Sequence, residues 1–203
     1  MNNLKITTTI LTIAFVGLTV LSCKENKKED QKESTEMTDM GHQDPMDMNA
    51  TVSVEKLNYN IQGSDKTSGL VMSYLQIKDA LVADNGEAAN AAGKTALQAF
   101  KNFDSSGLST EQQENLKDPF EDAMAKVKNI SEASIKDQRK AFKQLSDDMT
   151  KIIAIAGTNA KLYEQFCPMY DRGSAWLSAE KDIKNPFYGS KMLTCGSVKK
   201  EIN

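Results

Sequence analysis

The sequence predicts an all-α fold, an up-and-down four-helix bundle with an irregular C-terminal clasp from about residue 158. Residues that favour helices dominate the middle of the chain, and apolar residues recur there at helical spacing in four successive stretches. Short loops between these stretches favour antiparallel packing of neighbouring helices. After Gly157 the composition changes, with two of the three cysteines, the only tryptophan and two of the four prolines. This change predicts loops that wrap one end of the bundle, and no sheet.

The first two helices are predicted from about Thr67 and from Glu87 to about Phe103. The segment Asp84-Asn85-Gly86 is predicted to end the first helix, because Asn and Gly tolerate the left-handed conformation that closes a helix. The second helix is rich in alanine, whose small side chain allows a neighbouring helix to approach closely. The predicted apolar faces are Leu70, Val71, Tyr74, Leu75, Ile77 and Leu81 in the first helix and Ala89, Ala92, Ala96, Leu97 and Phe100 in the second.

The third and fourth helices carry their own start signals. Ser109 or Thr110 is predicted to cap the third helix, and Pro119 within it either bends the helix or starts a new one. Ser134 and Asp137 are predicted to form a capping box for the fourth helix. The predicted apolar faces are Leu116, Phe120, Met124 and Val127 in the third helix and Ile135, Phe142, Leu145, Met149, Ile152 and Ile153 in the fourth.

Residues 1–22 are predicted to be a lipoprotein signal peptide. A short polar start precedes an apolar run, Ile6 to Leu21, which is short for a membrane-spanning helix. The run ends at Val20-Leu21-Ser22-Cys23, which is typical of a lipobox, so Cys23 is predicted to carry lipid and to hold the protein at a membrane. The alternative is an ordinary signal peptide or an uncleaved anchor. The sequence thus predicts an anchored protein of the cell envelope that faces the periplasm or the cell surface.

Residues 23–62 are predicted to form a flexible tether. Lys24 through Glu36 is almost entirely polar, so this stretch cannot bury enough apolar surface to offset chain ordering. The following residues combine four thioethers with the only histidine of the chain, which suits Cu(I) or Ag(I) in an oxidising compartment. Alternatively, the methionines are only tolerated in a linker. The candidate ligands are Met37, Met40, His42, Met46 and Met48.

A second set of sulfur atoms lies in the predicted domain at residues 63–203. Cys167 and Met169 lie in one segment of the clasp, and Met192 and Cys195 lie in another. A disulfide between the cysteines is the favoured interpretation for an exported protein, and it would contribute about 3 kcal/mol by restricting the unfolded chain. In the alternative, both thiols and both thioethers bind Cu(I). A redox switch between the two states also stays open.

Aromatic residues complete the predicted clasp. Asn185-Pro186-Phe187-Tyr188-Gly189 predicts a tight turn, and its rings, with that of Trp176, are expected to pack on the bundle. The alternative is a ligand pocket or a patch that faces a partner.

Charge and histidine content exclude several functions. The formal net charge is −3 with both signs mixed, so the chain lacks the clustered basic face that nucleic-acid binding requires. The single histidine, His42, lies in the tether, which excludes Ser-His and Cys-His pairs and a three-histidine zinc site from the folded domain. We therefore expect a protein that is not an enzyme.

Several segments resemble an uncharacterised domain family of Gram-negative bacteria. Domains of this family occur alone or fused to Cus-type periplasmic adaptors of heavy-metal efflux. The resemblance covers roughly residues 66–203 and implies a helical domain associated with copper or related metals. The segments are Tyr163-x-x-Phe-Cys-Pro-Met169, Trp176-Leu-Ser178, Asn185-Pro-Phe-Tyr-Gly189, Met192-Leu-Thr-Cys-Gly196, Tyr74 to Ala83 and Arg139-x-x-Phe-x-x-Leu-Ser146.

Two functions follow as expectations. The first is a lipid-anchored protein that binds Cu(I) or Ag(I) for copper homeostasis or for hand-off to efflux. The second is an interaction module that docks to an efflux adaptor, or to another envelope protein, without binding metal. The second function predicts an exposed apolar patch near Trp176 or Phe187.

Overall fold

The computed structural model describes residues 66–202 and shows four α-helices followed by three β-strands. The predicted all-α class is therefore wrong, because a three-stranded antiparallel sheet stands where an irregular clasp was expected. The predicted signal peptide, the predicted lipidation site Cys23 and the candidate ligands Met37, Met40, His42, Met46 and Met48 lie outside the described residues.

The four predicted helices are confirmed, and two of them begin with side-chain caps. The Asn85 side chain accepts the N–H of Ala88 at 2.9 Å. Ser109 and Gln112 form a reciprocal capping box, which satisfies two backbone N–H groups that lack partners within the helix. The helices are α1 (Ser68–Val82), α2 (Gly86–Lys101), α3 (Thr110–Ile130) and α4 (Ile135–Ala156).

The capping box predicted at the start of α4 is wrong. The Ser134 hydroxyl donates to the Asp137 carboxylate at 3.0 Å and makes no capping bond to the backbone. The Asp137 N–H, which a capping box would direct to the Ser134 hydroxyl oxygen, donates to the Ser134 carbonyl oxygen at 2.9 Å.

The helices pack in sequence order, α1 against α2, α2 against α3 and α3 against α4. Pro119 lies inside α3, which continues through it, so no new helix starts there. Gly93 shows how closely α2 approaches the end of α3, because a Cβ at this position would lie 2.9 Å from the backbone nitrogen of Ser131. A small residue is therefore required at this contact.

The predicted apolar faces form the core of the helical region. Leu75, Ile77, Phe142 and Leu145 have no exposed surface. Full burial of such a side chain stabilises a protein by roughly 1.5–3 kcal/mol relative to exposure. A few predicted core residues lie at its margin and are only partly buried, namely Leu97, Phe120, Met124 and Ile135.

The sheet has the strand order β2-β1-β3, and both pairings are antiparallel. β1 is therefore the central strand, and its residues Cys167 and Phe166 pair with Ser174 of β2 and Ser197 of β3. A short 3₁₀ turn, Gly189–Met192, lies between the second and third strands. The strands are β1 (Leu162–Cys167), β2 (Ser174–Ser178) and β3 (Ser197–Ile202).

The strands lack the alternating pattern that identifies a half-buried strand. The pairing of β1 with β3 shifts between Glu164 and Gln165, so the buried residues of β1 do not alternate regularly. One of them, Gln165, is polar, and β2 is buried at both Trp176 and Leu177. The sheet was missed for these reasons.

β2 docks the sheet on the helices through contacts with α4 and α1. Trp176 is buried, and its ring meets that of Phe187 edge-on at a centroid distance of 5.7 Å. Phe187 in turn lies 6.0 Å from the ring of Phe142 in α4. The predicted packing of these rings on the helices is confirmed, and neither Trp176 nor Phe187 offers an exposed apolar surface.

Among residues 66–202, no helix has both the length and the apolar character needed to cross a membrane.

Candidate thiol site

Cys167 and Cys195 meet at one end of the sheet. Cys167 is the last residue of β1, and Cys195 lies just before β3, which pairs with β1 at Phe166 and Ser197. This antiparallel register brings the two thiols side by side, with their Sγ atoms 2.6 Å apart. This separation is closer to that of a disulfide bond, and the two sulfur atoms would have to move apart to share one metal ion.

Two methionines lie in the turns that flank this thiol pair. Met169 follows Cys167 in the turn after β1 and is 62% exposed. Met192 ends the 3₁₀ turn, is 37% exposed, and its carbonyl accepts the N–H of Cys195 at 3.0 Å. Both side chains are thus at least partly exposed to solvent. Cys167 ends β1 and Met169 follows it, whereas Met192 and Cys195 lie in the segment before β3.

The two thiols differ in exposure. Cys167 has 0% of its surface exposed, whereas Cys195 is only partly buried. A reagent from solvent therefore reaches the pair from the side of Cys195.

The two thiols also differ in acidity. Burial acts to raise the pKa of Cys167, but hydrogen bonds from the Cys195 thiol, from the backbone of Met169 and Tyr170 and from the Asn185 side chain outweigh it, so the pKa is lowered. The hydrogen bond to Cys167 raises the pKa of Cys195, and burial adds to this effect. Cys167 is therefore the thiol that ionises first, and the thiolate is the form that binds metal ions and attacks disulfides.

Asn185 holds the turn that contains Cys195. Its backbone N–H donates to the Leu193 carbonyl at 2.8 Å, and its side-chain Nδ2 donates to the Cys195 carbonyl at 2.8 Å. Its Oδ1 accepts the N–H groups of Phe187 and Tyr188 at 2.8 and 3.2 Å. Because Asn185 is fully buried, these bonds fix the turn with little competition from water.

Gly196 lets the backbone beside Cys195 approach the sheet closely. A Cβ at this position would lie 2.9 Å from the Trp176 ring and 3.0 Å from the Phe166 carbonyl oxygen. The backbone φ of Gly196 is +150°, which residues with a side chain rarely adopt. The backbone of Gly196 therefore lies close to Trp176, the only tryptophan of the chain, and this close approach positions the neighbouring Cys195.

Arg139 joins the loop that precedes the 3₁₀ turn to the helices. Its guanidinium group donates to the carbonyl oxygens of Leu81 and Pro186 at 2.9 and 3.0 Å, and to the Asp84 carboxylate at 2.5 Å. One side chain in α4 therefore connects the end of α1 to the loop of the sheet region.

Asp84 forms the second part of this connection. Its carboxylate accepts the N–H of Ser190 at 2.9 Å, and a Cβ at Gly189 would lie 2.2 Å from its Oδ1. Burial acts to raise the pKa of Asp84, but hydrogen bonds from Ser190 and Arg139 outweigh it and lower the pKa to about 2. Asp84 is therefore ionised at neutral pH and holds the start of the 3₁₀ turn.

Tyr74 supplies a buried polar link between α1, α4 and β2. Its hydroxyl accepts the N–H of Leu177 at 3.0 Å and lies 2.7 Å from the Ser146 hydroxyl, which donates to the Phe142 carbonyl. Burial raises the pKa of Tyr74, so the hydroxyl stays protonated and donates to Ser146. This link joins three elements through buried polar groups.

Sulfur atoms are the metal donors that the fold brings together here. Among the described residues, no group of three or more His, Cys, Asp or Glu side chains is placed to hold a metal ion. The two thiols form a soft donor pair, which suits monovalent copper or silver better than hard cations.

The roles of Asn185 and Arg139 were missed by sequence reasoning. The Asn-Pro pair at Asn185 signals a turn, but it does not reveal that the asparagine bonds to the Cys195 carbonyl. Arg139 was singled out only by resemblance, and its partners at Asp84 and Pro186 are distant in the sequence. Local patterns carry no signal for such long-range bonds.

Residues 70–161 match the model of a family described as "Protein of unknown function (DUF3347)". The matched region contains nearly all of the four helices and ends before β1, so it confirms the resemblance of the helical region to an uncharacterised domain. Cys167 and Cys195 lie beyond this region. No curated protein and no solved structure matches the chain.

Proposed function

We propose that this protein binds a soft monovalent metal ion, Cu(I) or Ag(I), through the thiol pair. The observation that carries the proposal is the 2.6 Å contact between the Sγ atoms of Cys167 and Cys195. Met169 and Met192 lie in the flanking turns and add two accessible thioethers. Sulfur donors of these two kinds favour monovalent copper over hard cations. The metal ion is the cargo of the protein in this proposal, and no catalytic step is assigned to it.

The proposed cellular role is copper homeostasis, or hand-off of copper to an efflux system, by a lipid-anchored protein of the cell envelope. The lipobox ending at Cys23 supports the anchor. The methionine-rich segment of the tether supports a second soft-metal site in the same chain. The resemblance to domains that are fused to efflux adaptors supports the connection with efflux.

A competition titration with Cu(I) tests the proposal. The protein, carrying Cys23→Ser so that only the thiol pair remains, is titrated without oxygen against a chromophoric Cu(I) chelator. We expect the double variant Cys167→Ser/Cys195→Ser to lower the Cu(I) affinity by at least about 100-fold. Loss of a group that only hydrogen-bonds to a metal ligand usually has a smaller effect. Met169→Ala/Met192→Ala is expected to have a smaller effect, because thiolates are the stronger donors.

Two further variants locate the site within the chain. Met72→Ala removes an exposed methionine of α1 that lies outside the clasp, and it is expected to leave the affinity unchanged. A variant with alanine at Met37, Met40, Met46 and Met48 measures how much the tether contributes to Cu(I) binding, independently of the thiol pair. Unchanged Cu(I) affinity in the double cysteine variant would contradict the assignment of the metal to the thiol pair.

A protein-interaction module that docks to an efflux adaptor, without metal, is the second candidate. It is favoured by the exposed side chains of Met169, Met192 and Leu193 beside the thiol pair. This function predicts that Met169→Glu/Leu193→Glu abolishes capture of the adaptor in metal-free buffer. Cys167→Ser/Cys195→Ser should then leave capture intact, whereas dependence on both thiols and copper would favour the first function.

A further inference from the structure

We infer that the thiol pair exchanges with external disulfides, with Cys195 as the sulfur that the partner reaches and Cys167 as the sulfur that resolves the mixed disulfide. This inference concerns an activity in addition to metal binding and does not depend on it. It assigns different roles to two cysteines that cannot be distinguished from the sequence alone.

The difference in exposure determines the order of the steps. Cys167 has no exposed surface, so an external disulfide cannot approach its sulfur in the folded protein. Cys195 is partly exposed and lies in a turn between exposed Met192 and Leu193 and the edge strand β3. The first contact with a partner is therefore made by Cys195.

The contact between the sulfur atoms makes the second step intramolecular. The Sγ atoms are 2.6 Å apart, so Cys167 is already within reach when Cys195 carries a partner. Groups held in a reactive arrangement react with effective concentrations far above those available in solution. We therefore expect a mixed disulfide on Cys195 to be short-lived whenever Cys167 is present.

In the exchange, a symmetric external disulfide, R–S–S–R, supplies the oxidising equivalents. The Cys195 thiol first transfers its proton to the Cys167 sulfur, which lies in contact with it. The resulting Cys195 thiolate attacks one sulfur of R–S–S–R, the S–S bond breaks, and one R–S⁻ leaves with the electron pair. After Cys167 has released the transferred proton to water, its thiolate attacks Cys195 Sγ, and the second R–S⁻ leaves as the Cys167–Cys195 disulfide forms. In total the protein loses two thiol protons and two electrons, and the external disulfide is reduced to two thiols.

The surrounding turn keeps the two sulfur atoms together during exchange. The Asn185 side chain holds the Cys195 carbonyl, and Gly196 lies against the Trp176 ring. β1 and β3 fix the backbone on the two sides of the pair. Little chain ordering is thus needed for the resolving step, in contrast to a pair of cysteines in a mobile loop.

Reaction with the small disulfide dithiobis(nitrobenzoate), in metal-free buffer and in the Cys23→Ser background, tests the inference. We expect Cys167→Ser to keep a stable mixed disulfide on Cys195, detected by intact mass and peptide mapping. With both cysteines present, the protein should release twice as much coloured thiol per molecule and keep no adduct. Cys195→Ser should react about tenfold or more slowly, since Cys167 becomes accessible only through local opening.

A measurement without cysteine substitutions guards against variants that fold poorly. Acid quenching of the reaction at early times traps the mixed disulfide, and peptide mapping then locates it. An early adduct on Cys195 supports the inference, whereas an early adduct mainly on Cys167 overturns it. Equal reaction rates of the two single variants, in folded protein, would also overturn it. Cu(I) affinity is measured separately, so failure of either proposal is recognised independently of the other.

Discussion

Phe142 in α4 and Gln165 in β1 are both fully buried, but they are stabilised in different ways. Phe142 belongs to an apolar face with helical spacing and stacks on Tyr74 at a centroid distance of 5.0 Å. Gln165 interrupts the apolar pattern of its strand, and its side-chain nitrogen donates to the carbonyls of Glu180 and Lys181 at 2.8 and 3.2 Å. Phe142 is therefore held by apolar packing that its spacing predicts, whereas Gln165 is held by particular polar bonds.

This difference indicates at which contacts the stability of the protein is most sensitive to substitution. A helix with several apolar positions can lose one contact and keep its face, whereas individual side chains join the sheet region to the helices. They include the Phe187 ring, Arg139, Lys143 with its partner Asp171, and the hydroxyl of Tyr74. Changes at these contacts should cost more than matched changes within either region.

Phe142→Ala is expected to have the largest effect, a loss of about 3–5 kcal/mol in the free energy of unfolding, because it leaves a cavity between the helices and Phe187. Urea denaturation measures the change. Phe103→Ala is the matched control, since Phe103 is only partly buried and meets only another ring of the helical region, that of Phe120. Equal losses in the two variants would contradict the special role of the contact between the regions.

Arg139→Met is expected to lower the free energy of unfolding by about 2–3 kcal/mol, because it removes the donor to two backbone carbonyls and to Asp84. Lys140→Met provides a control at the neighbouring position. Lys140 is exposed and pairs only with Asp137, so its loss should cost less than about 1 kcal/mol. An Arg139→Met variant as stable as Lys140→Met would show that the link through Asp84 contributes little.

Tyr74→Phe is expected to cost about 1–2 kcal/mol, because it leaves the buried N–H of Leu177 without its acceptor. Ser146→Ala should cost less, since the Tyr74 hydroxyl still accepts the N–H of Leu177. Thermal or urea unfolding compares the two variants. A larger cost for Ser146→Ala would indicate that the bond within the helices is more important than the bond to β2.

A pH titration of stability is expected to give the smallest effect. The folded-state pKa of Asp84, about 2, lies below its usual value near 4, so ionised Asp84 stabilises the folded protein above pH 4. This stabilisation should be lost as the pH falls from about 4 towards 2, when the carboxylate is protonated. Asp84→Asn should make the urea midpoint less sensitive to pH in this range. An unchanged pH dependence in that variant would contradict the assignment.

The helices were predictable because their signals are local. The spacing of residues such as Leu70, Tyr74 and Ile77 identifies a buried face, and Ser109 caps α3 as predicted. Asn85 was predicted to help end α1, but in the structure it caps the start of α2. The capping box at Ser134 failed because the Asp137 N–H donates to the Ser134 carbonyl oxygen at 2.9 Å and not to the Ser134 hydroxyl, a choice that only the folded geometry decides.

The sheet was not predictable, although its cysteines were. β1 is short, contains a buried glutamine and has an irregular pairing with β3, so its residues do not alternate as strand residues usually do. Cys167 and Cys195 stood out by chemistry alone, and their contact follows from a strand register that no local pattern encodes. Their different exposure could be known only from the folded structure.

The direction of α1 has a consequence for the turn that leads to Cys195. Thr67, at the start of this helix, donates to the Gly157 carbonyl at 2.9 Å, whereas Asp84, just past its end, binds the N–H of Ser190 at the start of the turn leading to Cys195. The helix has 15 residues and is therefore roughly 22 Å long. The turn that leads to Cys195 is thus held at the end of α1 that lies opposite to Thr67.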